Sequence, residues 1–393
     1  MSFDFDKVAD RRNSSSLKWD VKENELPMWV ADMDFQTAPE ITEALVKRAG
    51  SGIFGYSIIP DKWYTSIIGW WEKRHSFTIK KEWLQFCTGT VAAITCAVKR
   101  ITNTGDNVLV QTPVYNIFFN SIENHGRHVI ENKLKYENGK YSIDFNDLEE
   151  KLSNPLTTMM ILCNPHNPVG KIWSREDLEK IGELCCKYNV TVVSDEIHCD
   201  LTAPGCEYIP FASVSDICRD ISMTCISPSK TFNIAGLQSA AVVIPNERIR
   251  NNMVRGLNSD EIAEPNIFAA DSVVAAYSYG EKWLDELRNY LFENRKIAEN
   301  FLKKELPCVK AVPAQATYLM WLDCREITEN VSELCSFIRE KTGLYLTDGT
   351  NYRGNGGKFL RMNIACSKSI LSDGLSRLKS GVAAYEDHIS GKC

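Results

Sequence analysis

The sequence predicts an α/β protein: a large domain built on a mostly parallel sheet flanked by helices, together with a smaller α+β domain. Through the middle of the chain, short apolar runs alternate with helix-like stretches, as in a parallel sheet covered by helices. The length of 393 residues is beyond the size at which a single core usually stops growing. A second domain near the C-terminus is therefore expected, and two domains suggest a cleft.

Six strands are predicted for the large domain, because short apolar or β-branched runs there are mostly bounded by Gly, Pro, Asn or Asp. They are residues 84–87, 108–111, 159–163, 190–194, 223–226 and 240–244. A helix is predicted over 175–188, where apolar residues recur on one face and Ser174 caps the start. Asp177 stands where a full capping box carries Glu or Gln, so we expect an imperfect box.

The smaller domain is predicted from a long charged helix over 281–303 and three strand candidates after it. The candidates are residues 316–322, 343–346 and 359–364. A glycine-rich loop over 348–357 precedes the last strand and places Arg361 where it can face the cleft. The predicted organisation is an N-terminal segment (1–45) that joins the small domain, a large domain (46–280) and a C-terminal small domain (281–393).

Composition excludes several classes of protein. With 45 Lys+Arg against 51 Asp+Glu, the formal net charge is −6, which disfavours a nucleic-acid or anionic-membrane partner. The first residues carry no basic region followed by an apolar run, and no stretch is long enough to span a bilayer, so we predict a cytoplasmic protein. The 14 cysteines are scattered, and the Cys185-Cys186 pair has no zinc-ligand spacing, so neither a metal site nor a disulfide framework is expected.

Polar residues follow several predicted strands at the point where each strand ends. Lys230 comes soon after the strand 223–226, and Asp195 and His198 follow 190–194. Asn167 lies in a turn with two Asn-Pro steps after 159–163. Ligands of open α/β sheets bind at the carboxyl ends of the strands, which predicts a shared site. Taken alone, Lys230 is also typical of an ordinary surface lysine, Asp195 of a helix N-cap or turn acid, and His198 of a packed histidine.

A fourth strand end indicates an anion site. Cys87 leads into Thr88-Gly89-Thr90-Val91, where small residues let backbone N–H groups approach a ligand and a helix then begins. A dinucleotide site is the alternative interpretation of such a turn. It is weakened because no G-x-G-x-x-G motif is present here.

Together these strand ends resemble the aspartate aminotransferase superfamily, the fold-type I enzymes that use pyridoxal 5′-phosphate (PLP), over nearly the whole chain. The N-terminal part is similar to one branch, the MalY/PatB-like C-S lyases of the cystathionine β-lyase type. The motifs are Asn167-Pro168-Val169-Gly170, Asp195-Glu196-Ile197-His198, Ser227-x-Ser229-Lys230, Phe3-Asp4, Arg11-Arg12, Ser16-x-Lys18-Trp19-Asp20 and the run from Met28 to Phe35. The resemblance implies the PLP-transferase fold type I, with seven strands in the large sheet.

The resemblance also implies roles for the cofactor site. Lys230 would bind PLP covalently and then remove the Cα proton of the substrate, while Asp195 would pair with the pyridine N–H. Tyr115 would lie against the ring as a catalytic platform, and Asn167 would bond the ring oxygen O3′. The phosphate would be held by the backbone of Thr90 and Val91, the side chains of Ser227 and Ser229, and Tyr56 from a second subunit. That last role implies a homodimer with shared active sites.

The expected site also includes residues that contact the substrate and two positions at which this sequence differs from many aminotransferases. Arg361 resembles the arginine that grips the substrate α-carboxylate as a bidentate donor, and Val30 and Ala31 would line the substrate pocket. His198, predicted at the cofactor, stands where many relatives have a tyrosine that donates to O3′. Gln238 stands where many have an arginine on the phosphate, which leaves one fewer fixed positive charge.

The implied activity is a PLP-dependent β-elimination of L-cystathionine or a related cysteine S-conjugate to a thiol (homocysteine), pyruvate and ammonia. The alternative is a class I/II aminotransferase, which uses the same lysine, aspartate and arginine and is not separated by sequence physics. A further alternative is a PLP-binding regulatory protein that binds a transcription factor. The intact set of Lys230, Asp195, Asn167 and Arg361 argues against a purely structural role.

Overall fold

The structure is a computed structural model that describes residues 3–391. The outermost residues of the predicted N-terminal segment (1–2) and of the predicted small domain (392–393) lie outside the described residues. The strands, in chain order, are β1 (Leu26–Pro27), β2 (Leu84–Cys87), β3 (Asn107–Thr112), β4 (His128–Lys133), β5 (Lys135–Glu137), β6 (Lys140–Ser142), β7 (Thr157–Cys163), β8 (Thr191–Asp195), β9 (Ser222–Ile226), β10 (Ala240–Val243), β11 (Lys310–Ala311), β12 (Leu319–Asp323), β13 (Leu344–Tyr345), β14 (Thr347–Asp348) and β15 (Phe359–Asn363).

Helices alternate with these strands through most of the chain. The α-helices are α1 (Pro39–Ala49), α2 (Asp61–His75), α3 (Thr90–Ile101), α4 (Ile117–Glu123), α5 (Phe145–Leu152), α6 (Arg175–Lys187), α7 (Phe211–Val214), α8 (Asp216–Asp220), α9 (Pro228–Thr231), α10 (Glu247–Ser259), α11 (Ala269–Tyr279), α12 (Glu281–Glu305), α13 (Val331–Thr342) and α14 (Lys368–Ile389). No helix between residues 3 and 391 carries an apolar stretch long enough to cross a bilayer.

A seven-stranded sheet forms the centre of the fold, in the order β2-β10-β9-β8-β7-β3-β4. Strand β10 runs antiparallel to both of its neighbours, and the other neighbouring pairs are parallel. The prediction of a mostly parallel α/β sheet is therefore confirmed. Because six strands share one direction, the carboxyl ends of β2, β7, β8 and β9 lie along the same edge.

The six predicted strands of this sheet are all present, each within two residues of the predicted bounds. The seventh strand, β4, has the sequence HVIENK, in which four of six residues are polar, so it contains no apolar run like those that predict the other six strands. Within residues 3–391 it pairs only with β3, at the edge of the sheet, where most of its side chains stay partly or fully exposed. An edge strand needs no continuous apolar run, so its pattern is weak.

Helix α6 begins and ends close to the predicted bounds, but the expectation of an imperfect capping box was wrong. The Asp177 backbone N–H donates to Ser174 Oγ at 3.1 Å, and the Ser174 N–H donates to the Asp177 carboxylate at 3.4 Å. Both reciprocal bonds of a capping box are therefore made, because the shorter aspartate side chain still reaches the N-cap backbone.

A second, antiparallel sheet has the order β11-β12-β15-β14 and includes two of the three strands predicted near the C-terminus, those over 316–322 and 359–364. The third candidate, over 343–346, corresponds to β13, which pairs in parallel with β1 instead, while β14 begins one residue after the predicted range. Arg361 lies in the middle of β15, between Trp321 of β12 and Thr347 of β14. The predicted glycine-rich loop contains two short 3₁₀ helices, Gly349–Tyr352 and Gly356–Lys358.

The close packing of the glycine-rich loop against β15 can be tested at Gly349. A Cβ at Gly349 would lie 2.1 Å from the Phe359 carbonyl oxygen and 2.2 Å from that of Gly356, whereas a Cβ at Gly357 meets its nearest atom, in Thr350, at 3.8 Å. We expect Gly349→Ala to lower the free energy of unfolding by about 1–3 kcal/mol, since backbone must move, and the control Gly357→Ala to leave it unchanged. Equal thermal melting temperatures for the two variants would contradict this packing.

Candidate active site

Lys230 lies at the carboxyl edge of the large sheet, on the single-turn helix α9 that follows β9. Its Nζ donates a hydrogen bond of 2.6 Å to the Ala31 carbonyl oxygen. Burial lowers the pKa of the Lys230 amine and Arg361 adds to the effect, while the charges of Asp32 and Asp195 oppose it. A lysine with a lowered pKa is both a nucleophile and a base near neutral pH.

Asp195 ends β8 and is buried close to Lys230. Among the described residues, its carboxylate accepts one long hydrogen bond, from the Ile197 backbone N–H at 3.3 Å. Burial raises the pKa of Asp195 to about 7, against the opposing effects of the Ile197 N–H and the Lys230 charge. This carboxylate therefore has capacity left for a cationic N–H donor, which would stabilise its ionised form.

His198 lies in the same buried region, where its ring packs edge-on against Tyr318 at a centroid distance of 6.2 Å. Burial lowers the pKa of His198 to about 3, and the charges of Lys230 and Arg361 act in the same direction. The imidazole is therefore neutral at physiological pH. Its Nδ1 is buried and has no hydrogen-bond partner among the described residues.

Arg361 and Asn167 are brought into contact from the two sheets. Arg361 Nη1 donates to Asn167 Oδ1 at 3.2 Å, and Nη2 donates to the Trp29 carbonyl oxygen at 2.9 Å. The guanidinium also lies 5.1 Å from the centre of the Tyr352 ring. Its Nε is buried and has no partner within residues 3–391, so part of the donor fork stays available for a ligand.

Tyr115 follows β3 and lines the same cavity as Lys230 and Arg361. Its ring packs edge-on against Phe118, with the centroids 5.6 Å apart. Burial raises the pKa of Tyr115 to about 12, so the phenol stays protonated. The cavity has a volume of about 460 Å³, and the predicted substrate contacts Val30 and Ala31 also line it.

The predicted anion site corresponds to two helix starts, those of α3 and of α9, the turn that carries Lys230. Thr90 and Val91 are the first two residues of α3, so their backbone N–H groups precede the intrahelical bonds. Ser227 caps α9: its Oγ accepts from the Ser229 N–H at 3.1 Å and donates to the Ser239 carbonyl at 2.7 Å. The single hydroxyl proton of Ser227 is thus used within the chain, and its contact with a phosphate stays a prediction.

Tyr56 and Gln238 do not line the cavity. Tyr56 is fully exposed on an extended segment that also exposes Ile53, Phe54 and Ile58. Gln238 is exposed in a left-handed conformation after the 3₁₀ helix Ala235–Leu237. Tyr56 can take part in a site only through a second copy of the chain.

The sequence did not predict the role of the backbone of residues 29–33, which we call the N-terminal strap. Its five consecutive carbonyl oxygens each accept hydrogen bonds from side chains, and three of the donors, Lys230, Thr347 and Arg361, line the cavity. The donors are Arg361 and Thr347 to Trp29, Asn363 to Val30, Lys230 and Tyr318 to Ala31, Lys18 and Asn363 to Asp32, and Arg11 and Asn233 to Met33. The strap therefore holds residues of both sheets at fixed distances.

Asp34 anchors the chain just after the strap and gives a physical role to the N-terminal motifs. Its carboxylate pairs with Lys18 at 2.8 Å and with Arg11 at 3.0 Å, and it accepts from Trp19 Nε1 at 2.8 Å. Lys18 and Asp34 are both buried. Removing Asp34 would leave the buried Lys18 charge without a carboxylate partner among the described residues.

The chain was compared with models of known protein families and with individual proteins. The family model of Aminotransferase class I and II matches residues 24–378. The chain belongs to this family. Cystathionine beta-lyase PatB from Bacillus subtilis (strain 168) is 47% identical over 386 residues, which are 96% of this chain and 100% of that protein.

Two further family members agree with the predicted branch. Protein MalY from Escherichia coli (strain K12) is 32% identical, over 97% of this chain and 99% of its own. The crystal structure of cystalysin from Treponema denticola, which contains a PLP cofactor, superposes with a TM-score of 0.95 at 32% identity, covering 98% of this chain and 100% of that one. The predicted superfamily and its C-S lyase branch are confirmed.

The buried state of Asp195 predicts how the stability of the cofactor-free protein depends on pH. Its pKa is about 7 when folded and about 3.9 when unfolded. Between these values only the folded chain keeps the proton, so stability from this group is present at low pH and is lost as pH rises towards 7. Asp195→Asn removes this loss.

We therefore expect Asp195→Asn to gain about 2–3 kcal/mol relative to wild type between pH 5 and pH 8. Urea unfolding of both cofactor-free proteins at the two pH values measures this difference. Glu196, whose pKa burial also raises to about 8, is present in both proteins, and the Asp195 charge is the smallest cause of that rise, so most of the Glu196 titration cancels from the comparison. A stability difference that is independent of pH would contradict the buried carboxyl.

Proposed function

We propose that this protein is a PLP-dependent C-S β-lyase that cleaves L-cystathionine or a related cysteine S-conjugate to a thiol, pyruvate and ammonia. The observation that carries the proposal is that Lys230 and Arg361 line one cavity of about 460 Å³, while the Asp195 carboxylate is buried close enough to Lys230 for their charges to act on each other's pKa. The identity of 47% to a cystathionine β-lyase over nearly the whole chain supports the choice of reaction.

The residues of the site fit PLP, whose polar groups have matching partners here. The buried Asp195 carboxylate has acceptor capacity for a pyridine N–H, because the Ile197 N–H fills only one position. The start of α3 offers N–H groups of Thr90 and Val91 to a phosphate. Lys230 offers a buried amine with a lowered pKa to an aldehyde.

When bound, PLP withdraws electrons from the Cα of an attached amino acid, which makes the Cα proton acidic and lets a thiolate leave from Cβ. Lys230, once displaced by the substrate amine, would accept the Cα proton before the thiolate leaves, a task that its lowered pKa favours. Arg361 binds the substrate carboxylate through its planar donors and so orients Cα towards the lysine. His198, neutral and buried, adds no charge beside the cofactor ring.

The reaction is tested by incubating the PLP-loaded enzyme with L-cystathionine in the absence of a keto acid. We expect pyruvate and free thiol in equal amounts, and we expect Lys230→Ala to lower their rate of formation by about a thousandfold, because the general base is lost. Lys282→Ala, which changes an exposed lysine remote from the cavity, is the matched control and should retain full activity.

Two outcomes would contradict the lyase. Amino-group transfer that requires an added keto acid, without release of thiol, would identify an aminotransferase instead. Full thiol release by Lys230→Ala would show that another group removes the Cα proton.

We further propose a homodimer in which Tyr56 of each subunit enters the site of the other. The exposed apolar residues Ile53, Phe54 and Ile58 around Tyr56 support this, because monomers rarely expose a contiguous apolar stretch of this kind. A small sulfur amino acid is the expected substrate. The cytoplasmic location stays a prediction.

We also propose the division into a large domain (46–280) and a small domain (281–393), with residues 1–45 joining the latter. The pairing of β1 with β13 and the start of α12 at Glu281 support it.

Shared sites can be tested with a heterodimer of Tyr56→Ala and Lys230→Ala subunits, carrying different affinity tags. If Tyr56 acts across the interface, one site has both wild-type residues, and the purified heterodimer should have about half of the wild-type activity. Each homodimeric variant serves as the control and should be far less active. Activity no higher than the mean of the two homodimers would contradict a shared site.

A further inference from the structure

Asp200 is a fully buried carboxylate that the proposed reaction leaves without a role. It lies five residues after Asp195 and is 2% exposed. Carboxylates are almost never buried to this degree unless they are paired or hydrogen-bonded. The partners of Asp200 therefore indicate why the chain keeps a charge at this position.

The partners of Asp200 come from helix α2 and from the turn that carries the lysine. Its Oδ1 bonds with Trp70 Nε1 and with His75 Nε2, each at 3.0 Å, and its Oδ2 accepts from Thr231 Oγ1 at 3.2 Å. Arg74 Nε lies 3.9 Å from Oδ1. Burial opposes ionisation, but His75, Arg74 and Trp70 together hold the pKa of Asp200 below its usual value.

Thr231 directly follows Lys230 and is completely buried at the end of α9. A helix of four residues is not stable by itself, so tertiary contacts must fix its orientation. Ser227 caps the start of this turn, and the bond from Thr231 to Asp200 holds its end. Asp200 thus connects the turn of the lysine to the long helix α2.

Metal binding is the competing interpretation of this region, because His75, Cys199 and Asp200 have ligand atoms within 4.8 Å of one another. The Asp200 oxygens already accept from Trp70 and Thr231, and the Arg74 guanidinium beside them repels a cation. Burial raises the pKa of the Cys199 thiol well above its usual value, which disfavours the thiolate form that binds metals. The contacts therefore favour a structural role for Asp200, as a hydrogen-bond acceptor, over a cation site.

We propose that Asp200 is a positioning residue for Lys230, because its carboxylate holds Thr231 and so fixes the turn from which the lysine reaches the cavity. The inference rests on the proposed function, in which Lys230 binds PLP. It assigns to Asp200 no contact with substrate or cofactor.

The test compares Thr231→Val, which removes the hydroxyl at nearly constant shape, with Thr231→Ser, which keeps it. Asp200→Asn removes the charge at the other end of the same bond. Thr224→Val is the matched control: Thr224 is buried on β9, the strand that leads to this turn, and its hydroxyl has no partner among the described residues.

Two quantities are measured for each folded variant, well below its melting temperature. The first is the rate at which PLP-free protein captures added PLP covalently, with borohydride reduction and peptide mass spectrometry to locate the modified lysine. The second is the pair kcat and KM with L-cystathionine. We expect Thr231→Val and Asp200→Asn to lower the capture rate and kcat about tenfold, the effect of one hydrogen bond to a charged group, with KM changed less than about twofold.

Thr231→Ser and Thr224→Val should match wild type within about twofold, since neither loses a hydrogen bond to Asp200. Wild-type rates in Thr231→Val, or equal impairment of Thr231→Ser and Thr231→Val, would overturn the inference. So would loss of folding in both Thr231→Val and Asp200→Asn while Thr224→Val folds, because Asp200 would then support the fold as a whole. Failure of the proposed function is distinct: wild type itself would then capture PLP at another residue or not at all.

Discussion

The carbonyl oxygens of the N-terminal strap connect the two sheets at the candidate site. They accept from Lys230, which follows the large sheet, and from Arg361 and Asn363 on the antiparallel sheet. Long lysine and arginine side chains lose much conformational freedom when they are ordered, and fixed backbone acceptors compensate for part of that loss. The amine expected to bind the cofactor and the guanidinium expected to bind the substrate therefore belong to one hydrogen-bonded unit.

Burial controls which groups of the site are charged. It raises the pKa of Asp195 to about 7, lowers that of Lys230 and lowers that of His198 to about 3. The three shifts favour neutral side chains, which is the expected response of ionisable groups to a region of low polarity. An amine that is easily deprotonated is well suited to remove a proton near pH 7, and an acid with a raised pKa gains most from a cationic partner.

The sequence allowed the positions of Lys230, Asp195 and Asn167 to be predicted, because parallel strands end at one edge and short apolar runs mark those strands. It did not reveal β4, an edge strand whose polar sequence carries little periodicity. The contacts of Asn363 and Tyr318 with the strap were equally hidden, since their acceptors are main-chain carbonyls that every residue type supplies. Resemblance to a family identified the motif from Met28 to Phe35, but the hydrogen bonds to its carbonyl oxygens are evident only from the fold.

The contacts of Arg361 have a consequence for molecular recognition. Its Nη1 and Nη2 groups donate hydrogen bonds to the side-chain oxygen of Asn167 and to the backbone carbonyl oxygen of Trp29. A substrate carboxylate bound by Arg361, as proposed, would replace these two oxygens with its own, so the buried guanidinium would keep hydrogen-bond acceptors throughout binding.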